Sequence, residues 1–325
     1  MRDHGGNLDE AQARWGQGDW VDLSTGINRQ PYPVPRLSPG AWTSLPTASA
    51  TAALMEAAAT AFGTAAPGLA MAGAQAAIQM IPLLDRPGLA RVLAPTYNEH
   101  AACLRQAGWH VEEVARLEEL SGADLAVVVN PNNPDGRTCR KESLLSLSVG
   151  RLVVDESFAD SVPAESLVAK ASDRLLVMRS FGKFWGLAGL RLGFVYGGAD
   201  VIRRMSALAG PWPVSGPALE IGRMALADRD WRDKTVRRLS GEAERLDRLA
   251  ASAGWIQAGG TLLFRLYNTP NAQQAQGALA CHHIWTRRFP YSGTWLRLGL
   301  PGNEGEWQRV TAALGTPGAV DAHLP

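Results

Sequence analysis

A mostly parallel α/β sheet domain followed by a smaller C-terminal α+β domain is the fold class predicted for this 325-residue chain. Three observations predict it. Short apolar runs alternate with helix-length stretches between residues 69 and 196, the pattern changes after Gly254, and the 46% hydrophobic content supplies material for a large core. Strands separated by helix-length segments require crossover connections, which are right-handed and leave both faces of the sheet covered. Ligands of such sheets gather at the carboxyl ends of the strands.

In chain order, residues 1–45 are rich in Gly, Pro and Trp and read as an N-terminal arm. Residues 46–229 form the large domain and 230–325 the small one. Residues 51–62 read as a helix that Gly63 caps. The pattern predicts strands at 91–94, 125–130, 151–155, 175–179 and 193–196, with helices at 74–84, 98–106 and 141–147. Two longer helices follow at 216–227 and 230–253, the second with acid and arginine residues three and four apart on a solvated face. Beyond Gly254, strands at 261–267 and 295–300 surround a helix at 273–282, and 305–314 closes as a helix.

Composition excludes several classes of function. A net charge of +1, with arginines interleaved among acids, leaves no stripe to track phosphates, so no nucleic-acid partner is expected. No apolar run resembles a signal peptide or a membrane span, and Cys103, Cys139 and Cys281 follow no disulfide or metal-ligand spacing. These features predict a cytoplasmic protein with reduced thiols and no membrane association. Of the 32 basic residues only four are lysines, at positions 141, 170, 183 and 234, so chemistry that needs a primary amine has few places to occur.

The chemistry-bearing segments sit at predicted strand ends. Ser180-Phe-Gly-Lys-Phe-Trp-Gly-Leu-Ala-Gly-Leu-Arg-Leu-Gly193 places Lys183 among glycines and apolar residues, where burial makes an amine a better nucleophile toward a carbonyl. Ser180 and Arg191 flank it as anion contacts; a surface lysine beside a salt-bridged arginine is the plainer alternative. Asn130-Pro-Asn-Asn-Pro-Asp-Gly136 is a stiffened turn that can aim an amide at a ligand. Leu152-Val-Val-Asp-Glu156 ends a strand in a carboxylate suited to a protonated ring nitrogen or to capping a turn; a metal role lacks a supporting ligand cluster. Met71-Ala-Gly-Ala-Gln75 opens a helix start to a phosphate or simply packs tightly. Tyr97 of Pro95-Thr-Tyr97 can stack on a flat ring or belong to the core. A single ligand with a phosphate, a protonated ring nitrogen, a ring oxygen and an aldehyde satisfies them together.

In this order the pieces resemble the fold-type I pyridoxal-phosphate enzymes of the class I/II aminotransferase group, over nearly the whole chain. His4-Gly-Gly-Asn7, Asp22-Leu-Ser-Thr-Gly-Ile-Asn28 and Ile284-Trp-Thr-Arg-Arg-Phe289 look, within that group, like the threonine-phosphate decarboxylases of cobalamin biosynthesis. The resemblance implies pyridoxal 5'-phosphate linked covalently to Lys183, with Asp155 on the pyridinium nitrogen, Asn133 on the ring oxygen and Tyr97 stacked on the ring. Gly73, Ala74, Ser180 and Arg191 would hold its phosphate. Arg297 matches the arginine that takes a substrate carboxylate, and His4, Asn28 and Arg287 are matched to the phosphate of a small phosphorylated amino acid, with Arg288 an adjacent alternative. A homodimer is implied as well.

Two positions depart from the aminotransferase pattern. Phe158 stands where those enzymes carry a tyrosine three residues after the aspartate, and Leu45-Pro46 stands where they carry Tyr-Pro. The activity implied is decarboxylation of L-threonine O-3-phosphate to (R)-1-amino-2-propanol O-2-phosphate. An aminotransferase acting on histidinol phosphate and a non-catalytic partner in aminopropanol attachment are the rival readings.

Overall fold

The computed structural model describes residues 4–315. It divides into two compact units: residues 32–133 with 137–232, and residues up to 31 with 134–136 and those from 233 onward. The segment expected as one arm over 1–45 is therefore shared. Val21–Asp22 pairs in parallel with Ile284–Trp285 in the smaller unit, burying Val21 and Leu23, whereas Pro39–Thr43 packs on the helix Gly216–Ala227 in the larger. Burial of these apolar side chains ties each half to its own core.

The larger unit is organised by seven strands: β1 Gly68–Met71, β2 Leu89–Leu93, β3 His110–Val114, β4 Leu125–Val129, β5 Arg151–Asp155, β6 Leu175–Ser180 and β7 Gly193–Tyr196. Their order is β1-β7-β6-β5-β4-β2-β3, and β7 alone runs antiparallel to its neighbours. All five residues of β4 are buried, as expected for a central parallel strand covered on both faces. Met71, Val92, Val127, Val153, Met178 and Val195 share one core cluster with Ile78 and Leu104 from the covering helices. Of the larger unit's sheet, the two edge strands β1 and β3 were not among the expected strands. β1 has only four residues, and the His-Val-Glu-Glu-Val composition of β3 carries little apolar signal.

Other expected boundaries shift for identifiable reasons. The helix expected over 74–84 is Ala74–Met80 followed by a 3₁₀ turn, Ile81–Leu83, because Pro82 has no N–H to donate. Ala48–Phe62 ends as expected on Gly63, which is left-handed at φ 66°. The helix Ala199–Ala209 was not expected.

In the smaller unit the single strand expected over 261–267 is a hairpin, β8 Ile256–Thr261 and β9 Phe264–Asn268, with the turn falling inside the expected element. Two more strands, β10 Arg287–Phe289 and β11 Ser292–Gly299, complete an antiparallel sheet in the order β10-β11-β9-β8. The helices Ala272–Ala280 and Glu304–Gly315 belong to the same unit. Among the described residues no helix is long and apolar enough to cross a membrane.

Candidate active site

One cavity in the larger unit is lined by Gly73, Ala74, Tyr97, Asn133, Asp155, Ser180, Lys183 and Arg191, the eight residues singled out as cofactor contacts. The sheet explains this convergence. Asp155 and Ser180 are the last residues of β5 and β6, while Gly73, Tyr97, Asn133 and Lys183 follow β1, β2, β4 and β6 within a few residues. Parallel neighbours bring such positions to one edge although they are spread over more than a hundred residues of chain.

Lys183 lies in the turn after β6, half-buried, with its Nζ 5.7 Å from the centroid of the Phe158 ring. Its flanking residues Phe181, Phe184 and Trp185 are buried, and Trp185 stacks between Phe181 and Trp231 at centroid distances of 5.4 and 5.1 Å. This buried aromatic cluster anchors the residues that flank the lysine and so limits the turn's positional freedom.

Asp155 is buried and accepts hydrogen bonds from the backbone N–H of Ser157 at 3.0 Å and from the Ser157 hydroxyl; His100 Nε2 lies 2.9 Å from its other oxygen. Burial pushes the carboxyl up, but the bonds from His100 and Ser157 outweigh it and the group is held below the ordinary aspartate value. A carboxylate kept ionised in an apolar pocket is what a protonated ring nitrogen requires. His100 was not recognised from sequence. Its signal was spacing: it sits one helical turn beyond Tyr97, in the helix Glu99–Gln106, and its ring meets that of Tyr97 edge-on at 6.2 Å.

Tyr97 donates to Gln75 Oε1 at 3.2 Å, and burial, reinforced by Glu99, pushes its phenol up to about 12. It therefore stays neutral across physiological pH and presents an uncharged ring to the cavity. At the other end, Gly73 has φ 77°, and a Cβ there would lie 2.7 Å from Arg191 Nη2. A Cβ on Gly193 would lie 2.5 Å from the backbone nitrogen of Ala74. Two glycines thus let a guanidinium and a helix-start N–H approach one point, beside Ser180, which suits a phosphate. Asn130 and Asn132 shape the turn rather than the cavity: Asn130 exchanges two hydrogen bonds with the Cys139 backbone, and Asn132 donates to Pro95 O at 2.9 Å. That leaves Asn133 as the asparagine lining the pocket.

The four residues matched to the substrate belong to the smaller unit. His4, Arg287 and Arg288 line a second pocket together with Thr286, Gln276, Trp285 and Phe289. Thr286 is 1% exposed and its hydroxyl has no hydrogen-bond partner among the described residues, so it is a polar lining group that sequence reading missed. In the β10–β11 register Arg287 is the partner of Arg297, whereas Arg288 Nε bonds Gln276 Oε1 at 2.6 Å. Arg297 is buried, donates to Ser24 O at 2.7 Å, and packs over the Phe264 ring. Burial, with the adjacent Arg287 charge, pushes Arg297 down to about 9. Asn28 is also buried, its amide oxygen accepting from Arg238 at 2.8 Å and from the Gln30 N–H at 3.1 Å. Neither Asn28 nor Arg297 is among the residues lining the second pocket.

The family described as aminotransferase class I and II matches residues 19–322. The chain belongs to this family. Within the family it is 42% identical to the threonine-phosphate decarboxylase of Pseudomonas aeruginosa, over 97% of both chains. It is 41% identical to a threonine-phosphate decarboxylase from Sinorhizobium sp, covering 96% of this chain and 97% of the relative. The same aminotransferase fold is seen in the histidinol-phosphate aminotransferase of Sinorhizobium meliloti in complex with pyridoxal-5'-phosphate, with a TM-score of 0.80 at 18% identity over 94% of this chain and 92% of that one. Among the described residues there is no group of three or more His, Cys, Asp or Glu placed to hold a metal ion.

Proposed function

We infer that this aminotransferase-family chain is a pyridoxal 5'-phosphate-dependent decarboxylase of L-threonine O-3-phosphate, yielding (R)-1-amino-2-propanol O-2-phosphate for cobalamin biosynthesis. The observation that carries this reading is end-to-end similarity to two threonine-phosphate decarboxylases. The cavity of the larger unit fits the cofactor on its own terms: an amine, a buried ionised carboxylate, and a glycine-lined cradle of cation and N–H donors in one pocket.

When bound, pyridoxal 5'-phosphate supplies an electron sink for the bond that breaks at Cα. We assign Lys183 to covalent capture of the cofactor's aldehyde carbon and Asp155, held ionised by His100 and Ser157, to keeping a proton on the ring nitrogen. Asn133 would bond the ring oxygen, the neutral Tyr97 ring would lie against the ring, and Gly73, Ala74, Ser180 and Arg191 would seat the phosphate. Arg297 takes the substrate carboxylate; a buried guanidinium whose charge is opposed by desolvation and by a neighbour gains most from an arriving anion. His4, Asn28 and Arg287 take the substrate phosphate, and the pairing of Arg287 with Arg297 across the strands favours Arg287 over Arg288. Phe158 supplies no hydroxyl near the cofactor, which supports decarboxylation over amino transfer.

We place the enzyme in the cytoplasm as a homodimer of chains with a cofactor-binding large domain and a small C-terminal domain. Trp42 and Leu45, 70% and 64% exposed, are apolar side chains of the kind a partner subunit covers. The deciding experiment incubates protein and cofactor with L-threonine O-3-phosphate and follows carbon dioxide and the phosphorylated amine. Stoichiometric release of both is expected. Amino transfer from histidinol phosphate to 2-oxoglutarate without that release would replace the decarboxylase reading.

A further inference from the structure

The segment that carries His4 is fastened to the smaller unit through Ser24. This serine is 1% exposed and lines the second pocket with His4, Gly5 and Arg287. Asp22 Oδ1 accepts hydrogen bonds from the backbone N–H of Ser24 at 2.8 Å and from its hydroxyl at 2.6 Å. The hydroxyl's one proton is thereby committed, and its oxygen accepts from the backbone N–H of Gly6 at 2.7 Å. The carbonyl oxygen of the same residue accepts from Arg297 Nη2 at 2.7 Å. Gly5 runs so close to that oxygen that a Cβ there would lie well inside van der Waals contact with it. Beyond Gly6, Asn7 caps the helix Leu8–Trp15 by accepting from the Glu10 N–H, and Ala11 of this helix is buried with Trp20, Ala280 and Trp285.

The helix fixes where the chain leaves the His-Gly-Gly run, and Ser24 fixes where the run itself lies. Two successive glycines have more backbone freedom than any other pair, so the acceptor on Gly6 decides whether the histidine before them keeps one position. We propose that Ser24 is a positioning residue for substrate binding: its hydroxyl latches the run that carries His4 beside the second pocket, while its carbonyl oxygen steadies Arg297. One residue thus places both a histidine and an arginine. Because the run is ordered before the phosphorylated substrate arrives, less entropy is lost on binding and the difference appears as affinity. This rests on the reading in which His4 takes the substrate phosphate and Arg297 the carboxylate.

Ser24→Ala deletes the hydroxyl and keeps the carbonyl that Arg297 uses. Amide hydrogen exchange of the holoenzyme without substrate reads the latch directly: exchange at Gly6 is expected to speed up about tenfold in the variant, while the helix Leu8–Trp15 keeps its rates. In turnover, Ser24→Ala is expected to raise the KM for L-threonine O-3-phosphate about tenfold, with kcat changed less than about threefold. His4→Ala should raise KM similarly, and the double variant no further than the larger single one, since a histidine that is no longer placed has nothing left to lose. Gly5→Ala, whose Cβ meets the Ser24 carbonyl, makes the same comparison where Ser24→Ala does not fold. Unchanged exchange at Gly6 overturns the proposal, and so do additive effects of Ser24→Ala and His4→Ala on KM. A His4→Ala enzyme with the wild-type KM defeats instead the assignment of His4 to the phosphate; faster exchange in Ser24→Ala then still establishes the latch.

Discussion

The cofactor cavity and the arginine-bearing sheet of the smaller unit treat buried charge in opposite ways. In the cavity the buried carboxylate of Asp155 is supplied with donors by His100 and Ser157, so its charge is satisfied by the fold itself. In the smaller unit β10 and β11 place Arg287 and Arg297 opposite one another, and burial with the neighbouring charge pushes Arg297 down to about 9. A resident cofactor needs a site organised before it arrives. A substrate that comes and goes can be attracted by an electrostatic imbalance that its own anionic groups relieve.

The contrast is most severely tested at the two charged centres. Lys183→Ala is expected to abolish both the cofactor's visible absorbance and turnover, checked by spectrum and by carbon dioxide release; retained absorbance after dialysis would remove Lys183 from its role. Arg297→Met should leave that absorbance intact while kcat/KM falls by about 10²–10³, the scale for truncating one side of a buried charge pair. Loss of cofactor in this variant would erase the distinction between the two regions.

A smaller effect is expected at His100. Because its bond is among those that hold Asp155 below the ordinary value, His100→Leu leaves burial less opposed and the carboxyl rises. Asp155 is ionised above its folded value and loses its charge, and the stability that charge contributes, as pH falls through that value. The acid limb of the kcat profile and of thermal stability should therefore begin at higher pH in the variant, with roughly tenfold lower activity at the acid end. The smallest effect belongs to Arg288→Gln. Its guanidinium bonds Gln276 while Arg287 pairs with Arg297, so the KM for the phosphorylated substrate should change less than about threefold, against tenfold or more for Arg287→Gln. Equal effects of the two substitutions would show that strand register does not separate their roles.

How much of this was legible in the sequence depended on the range of the interaction. Lys183 stood out because lysine is scarce here and its neighbours are glycines and aromatics, and Asp155 because the apolar run Leu152-Val-Val154 ends on it. His100 did not, since a histidine on a short helix acquires meaning only when that helix is packed against the end of β5. Edge strand β3 was hidden by its charged residues, and the β8–β9 hairpin by a turn inside an apolar stretch. The N-terminal segment looked like one arm because composition reports flexibility and polarity but not which core a short strand such as Val21–Asp22 joins.

By itself, the sequence determined the alternating strand and helix pattern, the lysine, aspartate, asparagine and glycine positions at strand ends, and the family to which they belong. These are local features, decided by side-chain periodicity and by residues with unusual backbone or chemical properties. Only the tertiary structure decided that His100 bonds Asp155, that Arg287 pairs with Arg297 while Arg288 bonds Gln276, and that Phe158 presents its ring to the Lys183 amine. Each of those contacts depends on the register or packing of segments that meet only in the folded chain, and no one-dimensional pattern records which partner each side chain takes.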